Sequence, residues 1–361
     1  MLDGIRIIEI EGIGPGPFAA MTLADLGAEV IVIHRPSTPA ARRDQPANPL
    51  DRGKRSILLD LKDPADLEVA KKLIASAHGL IEGMRPGVME RLGLGPDDVR
   101  GLNPRLVYGR MTGWGQDGPR ATQAGHDLNY IGLSGALWYS GLPGTPPMSP
   151  ATLVGDIGGG ALYLVIGMLA ALIRARDTGV GSVVDAAIVD GSAHMMNLLM
   201  SMASVGGTVT ARGQSRLDGP HWSRSYRCAD DAYIAVQALE PKFYAIFLDR
   251  LGLSEDPEFM RQNDKPLWPR LARRLEEIFA GQPRRHWDDL FDGLDACVAP
   301  VLPPRDSKRD PHMAAREVWF GQGDVLQAAA APRFDGKKPG PPKEAPERGA
   351  HSDAIRKELE L

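Results

Sequence analysis

Two short stretches of this 361-residue chain place a titratable side chain at the start of an apolar, helix-like run. Gly125-His126-Asp127-Leu128-Asn129-Tyr130 supplies an imidazole, and Leu153-Val154-Gly155-Asp156-Ile157-Gly158-Gly159-Gly160 a carboxyl group. An imidazole and a carboxyl group set opposite each other can take a proton from one face of a carbon and return one to the other. That chemistry needs no metal, thiol nucleophile or redox cofactor. A third acid, Glu240, stands before Pro241. Singly, each residue also has a plain structural job: His126 as a helix-start residue, Asp156 as an N-cap, Glu240 as a helix entry.

The elements that must position these groups alternate between strand and helix in the first half. Ile5–Ile10, Glu29–Ile33, Ser56–Leu59, Gly79–Glu82, Leu106–Met111 and Ser182–Ala187 read as strands. Pro17–Leu26 reads as a helix stopped by Gly27, and Pro64–Ala77 as a helix with Asp63 as N-cap. Short apolar strands alternating with helices predict an α/β fold with a parallel sheet covered on both faces. The apolar run Ala161–Ile173 reads as a buried core helix, too short to span a bilayer. Beyond about residue 190 the character changes. The expectation is a large domain over 1–190, completed by about 325–361. A linker helix and linker at 191–220, a smaller α+β domain at 221–310 and a return linker at 311–335 make up the rest.

Composition excludes several classes. The chain is 43% hydrophobic and 24% charged, as soluble globular proteins are, and its net charge of −4 argues against a nucleic-acid binder. Cys228 and Cys297 have no metal-ligand or disulfide-framework spacing, so no metal is expected and a reducing compartment fits. Cys297 reads as buried packing. No basic leader opens the chain, and the expected location is the cytoplasm, with no membrane partner.

Gly12-Ile13-Gly14-Pro15-Gly16-Pro17 follows a strand and opens a helix, but its spacing misses the dinucleotide fingerprint. The second strand ends in His34-Arg35-Pro36 rather than in an acid, which makes hydride transfer the weaker reading. Arg52, Lys54, Arg55, Lys62, Arg85 and Arg91 also fall at loop positions. Each alone reads as a solvated charge; together they suggest a small polyanionic ligand at the strand ends.

The set of motifs resembles the family III CoA-transferase superfamily, in its alpha-methylacyl-CoA racemase branch. The matching pieces include Gly14–Pro17, Leu23-Ala24-Asp25-Leu26-Gly27-Ala28, Arg52–Arg55, Leu59–Lys62, Glu82–Val88, Arg110–Gln116, Gly125–Tyr130, Leu153–Gly160 and Ala238–Pro241. Their order and spacing extend the resemblance from about residue 2 to about residue 335. It implies a Rossmann-like large domain, a smaller domain, and an interlocked homodimer with each active site shared between chains. By position it implies His126 and Asp156 as the two acid–bases, with Glu240 of one chain meeting His126 of the other. Arg35, Leu59, Asp60, Leu61, Lys62, Gly83, Met84, Arg85, Arg91, Gly125, Asp127, Leu128, Asn129 and Tyr130 correspond to coenzyme A contacts. No cofactor is implied beyond the CoA moiety of an acyl-CoA substrate.

The implied reaction is 1,1-proton transfer through a thioester enolate. His126 takes the proton from one epimer while protonated Asp156 supplies one to the other face, and the enolate oxygen sits against N–H groups where Asp156-Ile157-Gly158-Gly159 starts a helix. Rival readings are a CoA-transferase with Asp156 as nucleophile and a silent acyl-CoA-binding protein. Thr152 departs from the asparagine usual in the racemase branch. His221 and Arg224 stand in an unusually charged stretch; they could recognise a polar acyl group, or face solvent in a linker.

Overall fold

A computed structural model describes residues 1–36, 48–322 and 325–360. The chain divides into two units: Met1–Ala136, Pro150–Met195 and His312–Leu361 form the first, and Leu137–Ser149 with Met196–Pro311 form the second.

The first unit is built on six parallel strands. These are β1 (Arg6–Ile10), β2 (Glu29–His34), β3 (Arg55–Leu58), β4 (Gly79–Glu82), β5 (Val107–Thr112) and β6 (Ser182–Ala187), in the order β3-β2-β1-β4-β5-β6. Side chains alternate across a strand. Ile7 therefore packs with helices Pro15–Asp25 and Leu162–Thr178, while Ile8 packs on the other face with helix Pro64–Ala75. Both faces are covered, which is why these strands read as continuous apolar runs. The strand order reverses between β1 and β4, and sheets of this kind bind ligands outside the carboxyl ends of the strands at that point.

Local chemistry fixes the helix starts. Gly14 turns the chain at φ 70° and Pro15 opens the helix after β1. Asp63 caps helix Pro64–Ala75, its Oδ1 accepting from the N–H groups of Ala65 and Asp66 at 2.9 and 3.1 Å.

Helix Leu162–Thr178 departs from expectation. It continues a π-helical segment, Leu153–Ala161, and the joined 26 residues are long and apolar enough to cross a membrane by length and composition. It is not wholly buried either: Leu162, Ile166 and Ile173 are 43%, 61% and 55% exposed. The inner face carries the core contacts of Leu164, Val165 and Met168.

The second unit holds three antiparallel strands in the order β7 (Ser223–Arg227), β8 (Tyr233–Gln237), β9 (Val298–Val301). Helices Pro241–Arg250, Trp268–Ala280 and Arg284–Phe291 contribute to its aromatic core, where Tyr226 and Phe247 both stack on Phe279. The stretch 196–220 groups with this unit, and the first unit resumes at His312. The expected return linker contains a hairpin of β10 (Trp319–Gln322) and β11 (Val325–Ala328). Cys297 is exposed, not buried, and stands just before β9 at a left-handed φ of 53°.

Candidate active site

Four parallel strands deliver their following loops to one edge of the sheet. Arg35 follows β2, Asp60–Lys62 follow β3, Gly83–Arg85 follow β4, and the loop after β5 leads to His126. A cavity of about 330 Å³ opens there, at the switch point between β1 and β4. His126 and Asp156 both line it, with Gly83, Met84, Arg85, Gly125 and Tyr130.

His126 is the residue before helix Asp127–Ser134. Its backbone N–H donates to Asn129 Oδ1 at 3.0 Å, closing the helix start. The side chain is exposed, and no hydrogen bond among the described residues holds the imidazole. The ring is therefore open to a ligand. Tyr130 braces the same turn: its hydroxyl donates to the Gly125 carbonyl, and its ring meets Trp114 edge-on at 4.7 Å.

Asp156 is not an N-cap. It is the fourth residue of the π-helical segment, which starts after Thr152 at a left-handed φ of 60°. Wide π turns concentrate at functional sites, and here the turn brings the half-buried carboxyl group to the cavity wall. The glycine turn after β1 faces it: a Cβ at Gly14 would lie 3.9 Å from Asp156 Oδ2.

Burial pushes the Asp156 carboxyl above the ordinary carboxylate range. The charge of Asp127 pushes it the same way, and His126 opposes both. The cavity thus holds an imidazole and a carboxyl group whose environment shifts it toward its protonated form, the two kinds of group that two-sided proton transfer needs.

Asp127, expected among the coenzyme contacts, has another job. It is 6% exposed, and its Oδ1 accepts from the N–H groups of Gly155 and Asp156 at 2.8 and 2.9 Å. It ties the His126 helix to the Asp156 turn. Gly155 permits that approach, because a Cβ there would meet Asp127 Oδ1 at 2.4 Å. No local signal in the sequence announces this tie, which joins residues 28 and 29 positions apart.

The same tie corrects the expected enolate site. The Asp156 N–H is committed to Asp127, and that of Ile157 donates to Thr152 O at 3.1 Å. Open donors lie instead in the first turn of helix Asp127–Ser134, where the N–H groups of Asp127 and Leu128 meet no acceptor among the described residues. Thr152 makes no side-chain cap.

The basic residues sort into two groups. Arg52 is buried and pairs with Asp25 at 2.5 Å. Lys54 is fully buried among Glu9 Oε2 at 2.6 Å, Asp51 Oδ1 at 3.3 Å and the Pro17 carbonyl at 3.2 Å. Arg55 pairs with Glu29 and Glu358. These three precede or begin β3, on the wrong edge for a ligand, and serve the fold. Arg35, Lys62, Arg85 and Arg91 are exposed. Leu59 is a core residue, and exposed Asn129 spends its Oδ1 on His126. Leu128 is 56% exposed.

Glu240 lies in the second unit as the exposed residue before helix Pro241–Arg250. His221 and Arg224 are not solvent-facing linker residues. His221 is fully buried; its Nε2 lies 2.6 Å from the Tyr244 hydroxyl, which donates to Phe259 O at 2.9 Å. Nε2 must then carry the proton, leaving Nδ1 as an acceptor without a partner among the described residues. Burial, reinforced by Arg224, drops its pKa to about 3. Arg224 pairs with Glu276 at 3.1 Å and lies over the Tyr226 ring. A charged pocket for a polar acyl group does not form from this pair.

Comparison with known proteins agrees with this architecture. The chain is 37% identical to mouse alpha-methylacyl-CoA racemase, over 99% of this chain and 93% of that protein. It is 42% identical to the human alpha-methylacyl-CoA racemase over 83% of this chain and 78% of that protein. A CAIB/BAIF family protein from Brucella suis superposes with a TM-score of 0.83 at 27% identity, covering 99% of both chains. The model of CoA-transferase family III matches residues 2–352, and with the parallel sheet and the cavity at its switch point, the chain belongs to that family.

Proposed function

We propose that this chain is an alpha-methylacyl-CoA racemase, an isomerase that epimerises 2-methylacyl-CoA thioesters by 1,1-proton transfer. The observation that carries this reading is the pairing, in one cavity, of an unengaged imidazole with a carboxyl group whose pKa is raised. The thioester acidifies its neighbouring carbon by delocalising charge onto oxygen. His126 takes the proton, the enolate oxygen rests against the open N–H groups of Asp127 and Leu128, and Asp156 delivers a proton to the opposite face. Roles reverse for the other epimer.

In this reading the coenzyme lies along Arg35, Asp60–Lys62, Gly83–Arg85, Arg91 and the turn at Gly125–Tyr130, and no further cofactor takes part. A second copy of the chain brings Glu240 to His126 and covers the exposed apolar face of Leu162, Ile166 and Ile173, a patch of the kind that marks interaction surfaces. Two free thiols, one of them exposed, support a reducing compartment and so the cytoplasm.

Incubating a 2-methylacyl-CoA in D₂O tests the proposal. Epimerisation with one deuterium gained at the α-carbon is the expected result, lost in both His126→Ala and Asp156→Ala. Unimpaired epimerisation in either variant, or CoA passing to a free carboxylic acid instead, overturns it.

A further inference from the structure

Two arginines far along the chain hold backbone at two of the strand ends given above to the coenzyme. Arg348 sits beside Glu11, the residue after β1. Its guanidinium pairs with both Glu11 oxygens, and its Nη2 also donates to the Arg35 carbonyl at 2.9 Å. Glu11 Oε2 in turn accepts the Arg35 N–H at 2.9 Å. One ion pair thus holds both backbone polar groups of Arg35, whose side chain is left exposed. Burial raises the Glu11 pKa, but the bonds from Arg348 and the Arg35 N–H outweigh it, and the carboxylate stays charged below its ordinary range.

The second arm repeats the device. Arg356, on helix Ser352–Glu358, donates to Asp66 Oδ1 at 2.7 Å. The other oxygen of Asp66 accepts the Asp60 N–H at 2.8 Å, and Asp60 Oδ1 accepts the Lys62 N–H at 3.1 Å. The turn that presents Lys62 is therefore fixed through a carboxylate, as Arg35 is. The segment carrying both arginines is itself docked on β3. His351 N donates to Ser56 O at 2.9 Å, and Ser56 N donates to His351 Nδ1 at 3.1 Å.

We propose that Arg348 and Arg356 are positioning residues for coenzyme binding, acting through Glu11 and Asp66 without touching the ligand. Two cations at the strand ends, Arg35 and Lys62, are presented by backbone tied to Glu11 and Asp66, and each of these carboxylates is itself held by an arginine. A polyanion such as the phosphorylated end of coenzyme A gains most from cations whose reach is set in advance. This inference rests on the coenzyme placement proposed above.

The test is titration of the full-length protein with coenzyme A, followed by calorimetry, which needs no turnover. Arg348→Ala and Arg356→Ala are each expected to weaken binding about tenfold, the size of one charge-assisted contact made poorly. Glu358→Gln, which breaks a pair with Arg55 in the same segment but touches neither Arg35 nor the 59–62 turn, leaves binding unchanged. In turnover, KM rises in the two arginine variants while kcat stays near wild type. Asp66→Ala and Arg356→Ala lose no more together than singly, because they interrupt one relay. If an alanine variant does not fold, the lysine variant at that position keeps the charge, loses the fork and shows a partial loss. Wild-type affinity in both arginine variants, an equal loss in Glu358→Gln, or no coenzyme binding by the wild type overturns the inference. Coenzyme binding without epimerisation overturns the racemase reading and leaves this one standing.

Discussion

His126 faces an open cavity in the first unit, whereas His221 is sealed in the aromatic core of the second. The first has no hydrogen bond to its ring among the described residues; the second is fixed by Tyr244 and held neutral, with a pKa of about 3. The acids divide in the same way. Asp156 reaches a cavity wall, while Glu9 is 1% exposed and locked to Lys54 at 2.6 Å. Identical side-chain chemistry becomes a reagent where a ligand can reach it and a structural bond where only protein can. The carboxyl edge of the parallel sheet supplies the first setting, because loops there are held by strands yet not covered by them.

Substitutions in the cavity should separate activity from stability most sharply. His126→Ala or Asp156→Ala is expected to lower the epimerisation rate by about 10²–10⁴-fold, the usual worth of a positioned acid–base, with little change in urea midpoint. One-sided exchange of the α-proton with D₂O should survive better than epimerisation. A variant that lost stability along with activity would erase the contrast.

The interior should behave in the opposite sense. Lys54→Met strands Glu9 and Asp51 without their cation, and we expect a loss of about 3–5 kcal/mol by urea unfolding. Burial already raises Glu9 to about 7 from 4.5. A carboxyl raised in the folded state costs stability as pH rises through its folded pKa, so the loss should be smaller at pH 5 than at pH 8.

His221→Phe carries a smaller and pH-dependent effect. Near pH 8 the variant loses one buried hydrogen bond, about 1–2 kcal/mol. The folded pKa of His221 lies near 3, below its ordinary 6.5, so the unfolded chain binds the extra proton and the wild type loses stability as pH falls between those values. The variant lacks that loss and should overtake the wild type in acid. Coenzyme binding should stay unchanged; a weakened titration would return His221 to the ligand.

The finest test concerns Asp127→Asn. The charge of Asp127 raises Asp156, so its removal lowers that pKa. In the direction where Asp156 donates, the rate falls as pH rises through its pKa, and in the variant that fall should start at lower pH. An unshifted pH–rate limb would separate Asp127 from the tuning of Asp156.

Much of the first unit was legible because its signals are local. Proline after a turn, Asp63 before Pro64, and short β-branched runs each act within a few residues, and all six strands of the sheet appear within a residue or two of where the pattern puts them. The alternating Ser223–Arg227 strand was missed, since three of its five residues are charged or exposed. The two acid–base candidates were legible as motif residues. Their electrostatic setting was not, because it depends on Asp127 crossing to another helix.

The sequence by itself determined the layered α/β plan, since hydrophobic period and turn chemistry are properties of neighbouring residues. It also marked which side chains carry titratable groups. The tertiary structure alone decided which of them are spent on folding. Arg52 meets the Ala328 carbonyl 276 positions away, and Arg348 meets Glu11 across 337. A charge is a ligand contact or a brace according to what stands within 3 Å of it, and chain separation holds no record of that distance.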